Sequence, residues 1–233
     1  MFLINPYILQ ASGNPLWNGL QAYYTADNTP NDALGTYNGT LVNGATYGTG
    51  IINQGFSLDG VNDYVSVGNL LNFDGSTPFS LSCWFNPNNV SGFKPLISNM
   101  IGSPTYQGIE LQISSNVLRV FLNNTSGTNS IRFSGSTTFT PSAWYHAVFT
   151  YDGSKDISGC NLYFNSSLET KTSTVNNLTG SIYSGSNTYL GTGQNFTLYN
   201  SGLLDEVGIW NRVLTSTEAT ELYNSGAAKQ YPN

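Results

Sequence analysis

Apolar side chains recur at every second position of FSLSCWFNP, residues 79–87, and this alternation restricts the possible folds more than any other feature of the chain. Successive side chains of an extended strand point to opposite sides, so Phe79, Leu81, Cys83 and Phe85 share one face and Ser80, Ser82 and Trp84 the other. The same period returns in GIELQISSNVLRVFLNN. There Ile109, Leu111 and Ile113 are followed by a Ser-Ser-Asn turn and then by Leu118, Val120 and Leu122, the pattern of a hairpin. In WYHAVFTYDGS, Trp144, His146, Val148 and Thr150 alternate with Tyr145, Ala147, Phe149 and Tyr151 ahead of an Asp152-Gly153 turn. Gly, Asn and Asp clusters separate such runs from Gly19 onward, which is the signature of an all-β sandwich.

The composition agrees with many short strands joined by turns. Only 9% of the 233 residues are charged, with 25 Gly and 15 Tyr. Asn, Ser and Thr together make up roughly a third of the chain, residues that suit turns and half-exposed sheet faces. Aromatic residues at 13% exclude a disordered chain. The net charge of −6, with seven basic residues and none before Lys94, excludes a nucleic-acid partner and an anionic membrane surface, because both need clustered Lys and Arg. No apolar run is long enough to span a membrane. The opening MFLINPYILQ has no positive charge and is interrupted by Asn5-Pro6, so it reads as a chain made in a cytoplasm without an export signal of its own.

No linker or internal repeat divides the sequence. It reads as one domain, residues 19–233, preceded by an N-terminal arm, residues 1–18, that carries two prolines and the isolated aromatics Tyr7 and Trp17. One short helix is expected near the C-terminus. Thr215 and Glu218 form a capping box, Leu222 and Tyr223 supply an apolar side, and Asn224 to Gly226 supply the stop. Cys83 and Cys160 each lie in an apolar alternating run and read as free buried thiols rather than a disulfide.

Five segments in order carry a family resemblance: FSLDGVNDYVSVG (residues 56–68), FSLSCWFNP (79–87), WYHAVFTYDGS (144–154), LYFNSS (162–167) and GLLDEVGIWNRVLTSTEATELYNSG (202–226). Together they resemble the laminin G-like branch of the concanavalin A-like lectin/glucanase superfamily, over about residues 19 to 226. The resemblance implies two antiparallel sheets in a jelly-roll sandwich, one of them curved with a concave face. It implies no single function, because this fold hosts lectins, hydrolases, adhesion modules and spacers. It also implies a structural calcium ion, held by carboxylates and carbonyls of loops. Asp27 and Asp205 are the positions that correspond, with Asp32 and Asp59 in reserve. The same acids also read as turn residues, since Asp59-Gly60 is a hairpin pair and Asp32 suits an Asx-turn.

Catalytic residues are not expected. Retaining glycosidases need two carboxyls roughly 5 Å apart, and Glu110 stands alone in its strand. Asp205 and Glu206 are strand neighbours and are expected on opposite faces. The lone histidine, His146, sits in a Trp-x-His block that looks structural in the family, and no Gly-x-Ser-x-Gly motif is present. Sugar binding needs exposed aromatic faces beside amides, and Tyr106, Tyr183 and Tyr189 are the loop-like candidates, with core packing as the alternative for each.

The sequence therefore points to a non-catalytic structural or adhesion protein. It resembles bacteriophage tail, fibre or capsid-decoration proteins, exposed on the virion surface, contacting other virion subunits through the N-terminal arm and host glycan through its loops. The alternative is a carbohydrate-binding module of a bacterial secreted or cell-surface protein.

Overall fold

The alternating runs become strands in the computed structural model, which describes residues 14–232. In chain order the first are β1 Leu20–Tyr24, β2 Thr40–Val42, β3 Thr46–Thr49, β4 Gln54–Asp59, β5 Tyr64–Ser66 and β6 Phe79–Pro87. There follow β7 Phe93–Ser98, β8 Gly108–Ser114, β9 Val117–Thr125, β10 Asn129–Ser134, β11 Tyr145–Tyr151 and β12 Cys160–Phe164. The last are β13 Ser167–Leu168, β14 Thr172–Asn176, β15 Tyr189–Leu190, β16 Thr192–Gly193, β17 Leu198–Tyr199 and β18 Ser201–Trp210. One sheet runs β13-β12-β11-β6-β18-β4-β3, with β1 added to β18; the other runs β14-β10-β9-β8-β7-β15-β5-β2; β16 and β17 form a small separate hairpin. All pairings are antiparallel, as the two-sheet jelly roll requires.

The register follows from the alternation. β11 lies on β6 from Tyr145 opposite Phe85 to Tyr151 opposite Phe79. Phe79, Leu81, Cys83 and Phe85 thereby meet Ala147, Phe149 and Tyr151 on the inner face. Ile109, Leu111, Ile113, Leu118, Val120, Leu122, Ile131 and Phe133 enter the same core from the second sheet. Each such Leu, Ile or Phe contributes roughly 1.5–3 kcal/mol on burial. The β8–β9 hairpin closes on Ser115 and Asn116, at φ 50° and 66°. Positive φ at both central residues gives the turn whose twist matches its strands. Cys83 and Cys160 are both buried and unpaired, on β6 and β12 with β11 between them.

A second apolar layer lies outside the first sheet. The helix α1, Ser216–Tyr223, starts at Thr215 with the capping box to Glu218 and ends at Asn224 in the left-handed region. Its Ala219 and Leu222 pack with Leu16, Trp17, Tyr23, Val148, Tyr163, Trp210 and Leu214. His146 belongs to this region: its ring lies 5.0 Å from the Trp84 ring, within hydrogen-bonding distance of the Ser82 hydroxyl at 2.9 Å, and close to Tyr223 of the helix. Of the expected arm, residues 1–13, Tyr7 included, lie outside the described residues. Within the rest of the arm, Pro15–Trp17 form a 3-10 turn with Leu16 and Trp17 buried. Trp17 meets Tyr23 edge-on and stacks on Trp210, the latter a contact between segments too far apart in sequence for any local period to show.

Candidate carbohydrate-binding face

With its outer side closed by α1, Leu16, Trp17 and Tyr231, the first sheet leaves the outward face of the second sheet as the broad surface available to a ligand. A single row crosses that face. Thr40, Ser66, Tyr189, Ser98, Glu110, Phe121, Arg132 and Val175 stand side by side on consecutive strands. Their strand neighbours Val65, Leu190, Ile97, Ile109, Leu111, Val120, Leu122, Ile131 and Phe133 all enter the core, so alternation turns this row outward.

At one side of the row is an aromatic cluster. Tyr189 meets Tyr64 edge-on at 5.6 Å, and Phe196 lies 5.1 Å from Tyr64 and 5.0 Å from Tyr189. Phe196 is 41% exposed, so the cluster offers an apolar ring to solvent. It sits at φ 63° in the turn between β16 and β17. Of the three tyrosines expected to contact sugar, Tyr189 lies in this cluster. Tyr183 is exposed in a loop, where Asn69 Nδ2 meets its hydroxyl at 3.4 Å. Tyr106 is half-buried at φ 52°, and its carbonyl accepts from Asn123 Nδ2. Tyr64 and Phe196 escaped the sequence reading because only the pairing of β5 with β15 brings them to Tyr189.

Glu110 is the one acidic side chain borne by the strands of this sheet. The β16–β17 hairpin covers it. Gly193 packs on its Oε2 with no room for a Cβ, Gln194 Nε2 approaches Oε1 at 3.4 Å, and the Ser98 hydroxyl donates to Oε2 at 2.9 Å. Burial pushes the carboxyl up to about 7, against those two hydrogen bonds.

The acids expected to hold calcium fall into three places. Asp32 is buried and accepts from the backbone N–H groups of Tyr23, Leu34, Thr36 and Tyr37, so it fixes its own loop. Asp59 is exposed at the end of β4 and accepts from the N–H groups of Val61 and Asn62 in the turn that follows, which hold its carboxyl below the usual range. Asp27 and Asp205 do come together, and with them Glu206. Here the expected alternation breaks. A bulge shifts the β18–β6 register between Asp205 and Gly208, with Glu206 at φ 47°. Leu204, Val207 and Ile209 enter the core, while Asp205 and Glu206 both lie on the outer side, an arrangement that an extra residue in one strand permits.

All six oxygens of this trio accept hydrogen bonds or face a donor. Asp205 takes Ile51, Ile52 and Glu206 N–H; Asp27 takes Gln54 N–H and the amides of Asn53 and Gln230; Glu206 faces Tyr23 Oη and Gln230. Burial, helped by repulsion from Asp27, pushes the Asp205 carboxyl up, and burial with repulsion from Asp205 pushes the Glu206 carboxyl up. Among the described residues no group of three or more His, Cys, Asp or Glu side chains is arranged to hold a metal ion. As folded, these donors do not fit calcium. The pair also cannot flank a glycosidic bond, since Asp205 and Glu206 are 0% and 2% exposed.

The sequence matches the family model of the concanavalin A-like lectin/glucanases superfamily, of the third laminin G type, over residues 59–220. No curated protein sequence matches the chain. Among solved structures it is similar to domain 4 of an extracellular arabinanase from Geobacillus stearothermophilus, solved with arabinotriose, at 18% identity and a TM-score of 0.61, covering 90% of this chain and 98% of that one. It is also similar to the binding domain of Paraclostridial Mosquitocidal Protein 1, at 21% identity and a TM-score of 0.65, covering 91% of this chain and 53% of that one. A third likeness is to a Trypanosoma rangeli sialidase, at 16% identity and a TM-score of 0.64, covering 89% and 33%. The chain thus spans about half of the toxin binding domain and a third of the sialidase. These likenesses show the fold, and with the sequence match they establish that this chain belongs to the concanavalin A-like lectin/glucanases superfamily.

Proposed function

We propose that this chain is a non-catalytic glycan-binding adhesion domain that holds its ligand on the outward face of the second sheet. The observation that carries the reading is the exposed ring of Phe196, braced by Tyr64 and Tyr189 at the edge of a polar row. Sugar rings stack on such faces while neighbouring polar groups take their hydroxyls. The sheet's single acid, Glu110, lies buried under the hairpin, so the face lacks the two carboxyls of a retaining hydrolase. The arabinanase domain solved with arabinotriose supports the glycan reading by fold alone.

For its setting, we favour a bacteriophage virion surface, with other virion subunits and host glycan as partners. Low charge and abundant Asn, Ser and Thr support that reading. A module of a secreted bacterial protein is the second reading, favoured by the near-complete coverage of the arabinanase domain. A glycan array with the purified protein tests the first claim. Binding lost in Phe196→Ala and Tyr189→Ala supports it, and no bound glycan at millimolar concentration ends it. Mass spectrometry of purified phage particles tests the setting, and absence of the protein there leaves the secreted module.

A further inference from the structure

Two of the seven basic residues of this acidic chain stand together on the same face, and among the described residues neither has an anionic partner. Arg132 lies directly across from Phe121 on the neighbouring strand, and Arg119 is two residues before Phe121. Both guanidiniums lie over the Phe121 ring, at 5.1 Å for Arg119 and 5.9 Å for Arg132. They are close enough that Arg132, after burial, depresses the affinity of Arg119 for its proton. Two like charges on one ring are unfavourable unless something negative meets them. Among the described residues the ion pairs are Arg212 with Glu218 and Lys229 with Glu221, and no hydrogen bond runs from Arg119 or Arg132 to any described protein atom. The Nε of each is buried and unpartnered.

Unmet acceptors lie beside them. Gln112, opposite Arg119 on β8, leaves its Oε1 without a partner, and Asn123, two residues beyond Phe121, leaves its Oδ1 without one; both residues are 1% exposed. Buried polar atoms are almost always paired, so a cluster of four unpaired ones on one face marks a place where partners are supplied from outside. Guanidinium forks match planar oxyanions, and amide oxygens accept from hydroxyls. We infer that Arg119 and Arg132, held on Phe121, form an anion subsite of the glycan face, and that its ligand is an acidic sugar: an anionic group for the arginines on a ring whose hydroxyls reach Gln112 and Asn123. Carboxylated and sulfated sugars share that chemistry. The inference rests on the glycan reading of this face.

The test is a titration followed by NMR on the Arg Nε–H resonances, with free glucuronate, glucose and inorganic sulfate as probes, alongside calorimetry with carboxylated, sulfated and neutral oligosaccharides. Glucuronate is expected to shift both Nε–H signals and glucose to leave them unmoved. Arg132→Gln and Arg119→Gln are each expected to weaken the acidic oligosaccharide by about tenfold or more, the loss of a charge-assisted fork, and to weaken a neutral one much less. A preference for the carboxylated over the sulfated ligand, or the reverse, names the source. Neutral and acidic sugars bound equally, with both variants unaffected, would overturn the subsite while keeping the glycan face. An equal shift with sulfate and glucuronate would overturn the sugar assignment. Arg signals that move while no oligosaccharide binds would instead overturn the glycan face. Circular dichroism of each variant confirms that a loss of binding is not a loss of fold.

Discussion

Tyr23 Oη lies 2.6 Å from Glu206 Oε2 and 2.9 Å from the Lys229 carbonyl, and a phenol has one hydrogen to give. It cannot donate to both: when Glu206 is protonated the carboxyl donates to Tyr23 and Tyr23 to Lys229, and when Glu206 is ionised Tyr23 donates to the carboxylate and the Lys229 carbonyl loses its partner. Burial and Asp205 repulsion push the Glu206 carboxyl up to about 9, which favours the protonated arrangement at neutral pH. Through Tyr23 and Gln230 it ties the C-terminal segment to the first sheet.

That geometry sets a pH dependence. Between the ordinary value of 4.5 and about 9, the folded chain keeps a proton that the unfolded chain has released. Stability contributed by this group is complete at low pH and falls as pH rises through that window, by at most about 1.4 kcal/mol per pH unit. Glu206→Gln keeps the shape and the donor to Tyr23 without the ionisation. Urea unfolding at pH 5, 7 and 9 should give a flatter profile for the variant; parallel profiles would show that Glu206 is charged in the fold.

His146 has the opposite sign. Burial beneath the helix depresses its imidazole to about 3, so the folded chain refuses a proton that the unfolded chain takes up below about 6.5. Its contribution is complete at neutral pH and is lost as pH falls from 6.5 toward 3. The imidazole NMR signals should not move between pH 8 and 5, whereas a midpoint near 6.5 would mean the helix does not seal the ring.

Calcium is expected to add nothing to stability. The carboxylate oxygens of Asp27, Asp205 and Glu206 are already occupied, and an ion would have to displace Gln230. Melting curves in EDTA and in millimolar calcium should coincide. A rise of several degrees with calcium, lost in Asp205→Asn, would show that the trio rearranges into a metal site, since a ligand bound only by the folded state must raise its stability.

Gly193 holds the hairpin against Glu110. A Cβ there would run into Glu110 Oε2 and the Ser98 hydroxyl. Gly193→Ala should cost about 1–3 kcal/mol, as overpacking does. Glu110→Ala opens that space, so the double variant should be less destabilised than the two single changes summed. Strict additivity in chemical denaturation would place the hairpin away from the sheet.

Period-two apolar runs, Gly and Asn turns and the Thr215–Glu218 capping box by themselves determined the sandwich, its hairpins and its helix, because strand and helix periods are local and each segment carries its own. Which polar residues share a surface was decided only by tertiary structure. Arg119 and Arg132 are ordinary outward residues of adjacent strands until the β9–β10 register sets them on one phenyl ring. Asp205 and Glu206 alternate in any regular strand, and only the bulge, fixed by pairing with distant β6, turns both carboxyls to one side. Tyr64, Tyr189 and Phe196 come from three segments joined by sheet order. Register across strands depends on which distant segments bury their apolar faces together, and no local pattern encodes that.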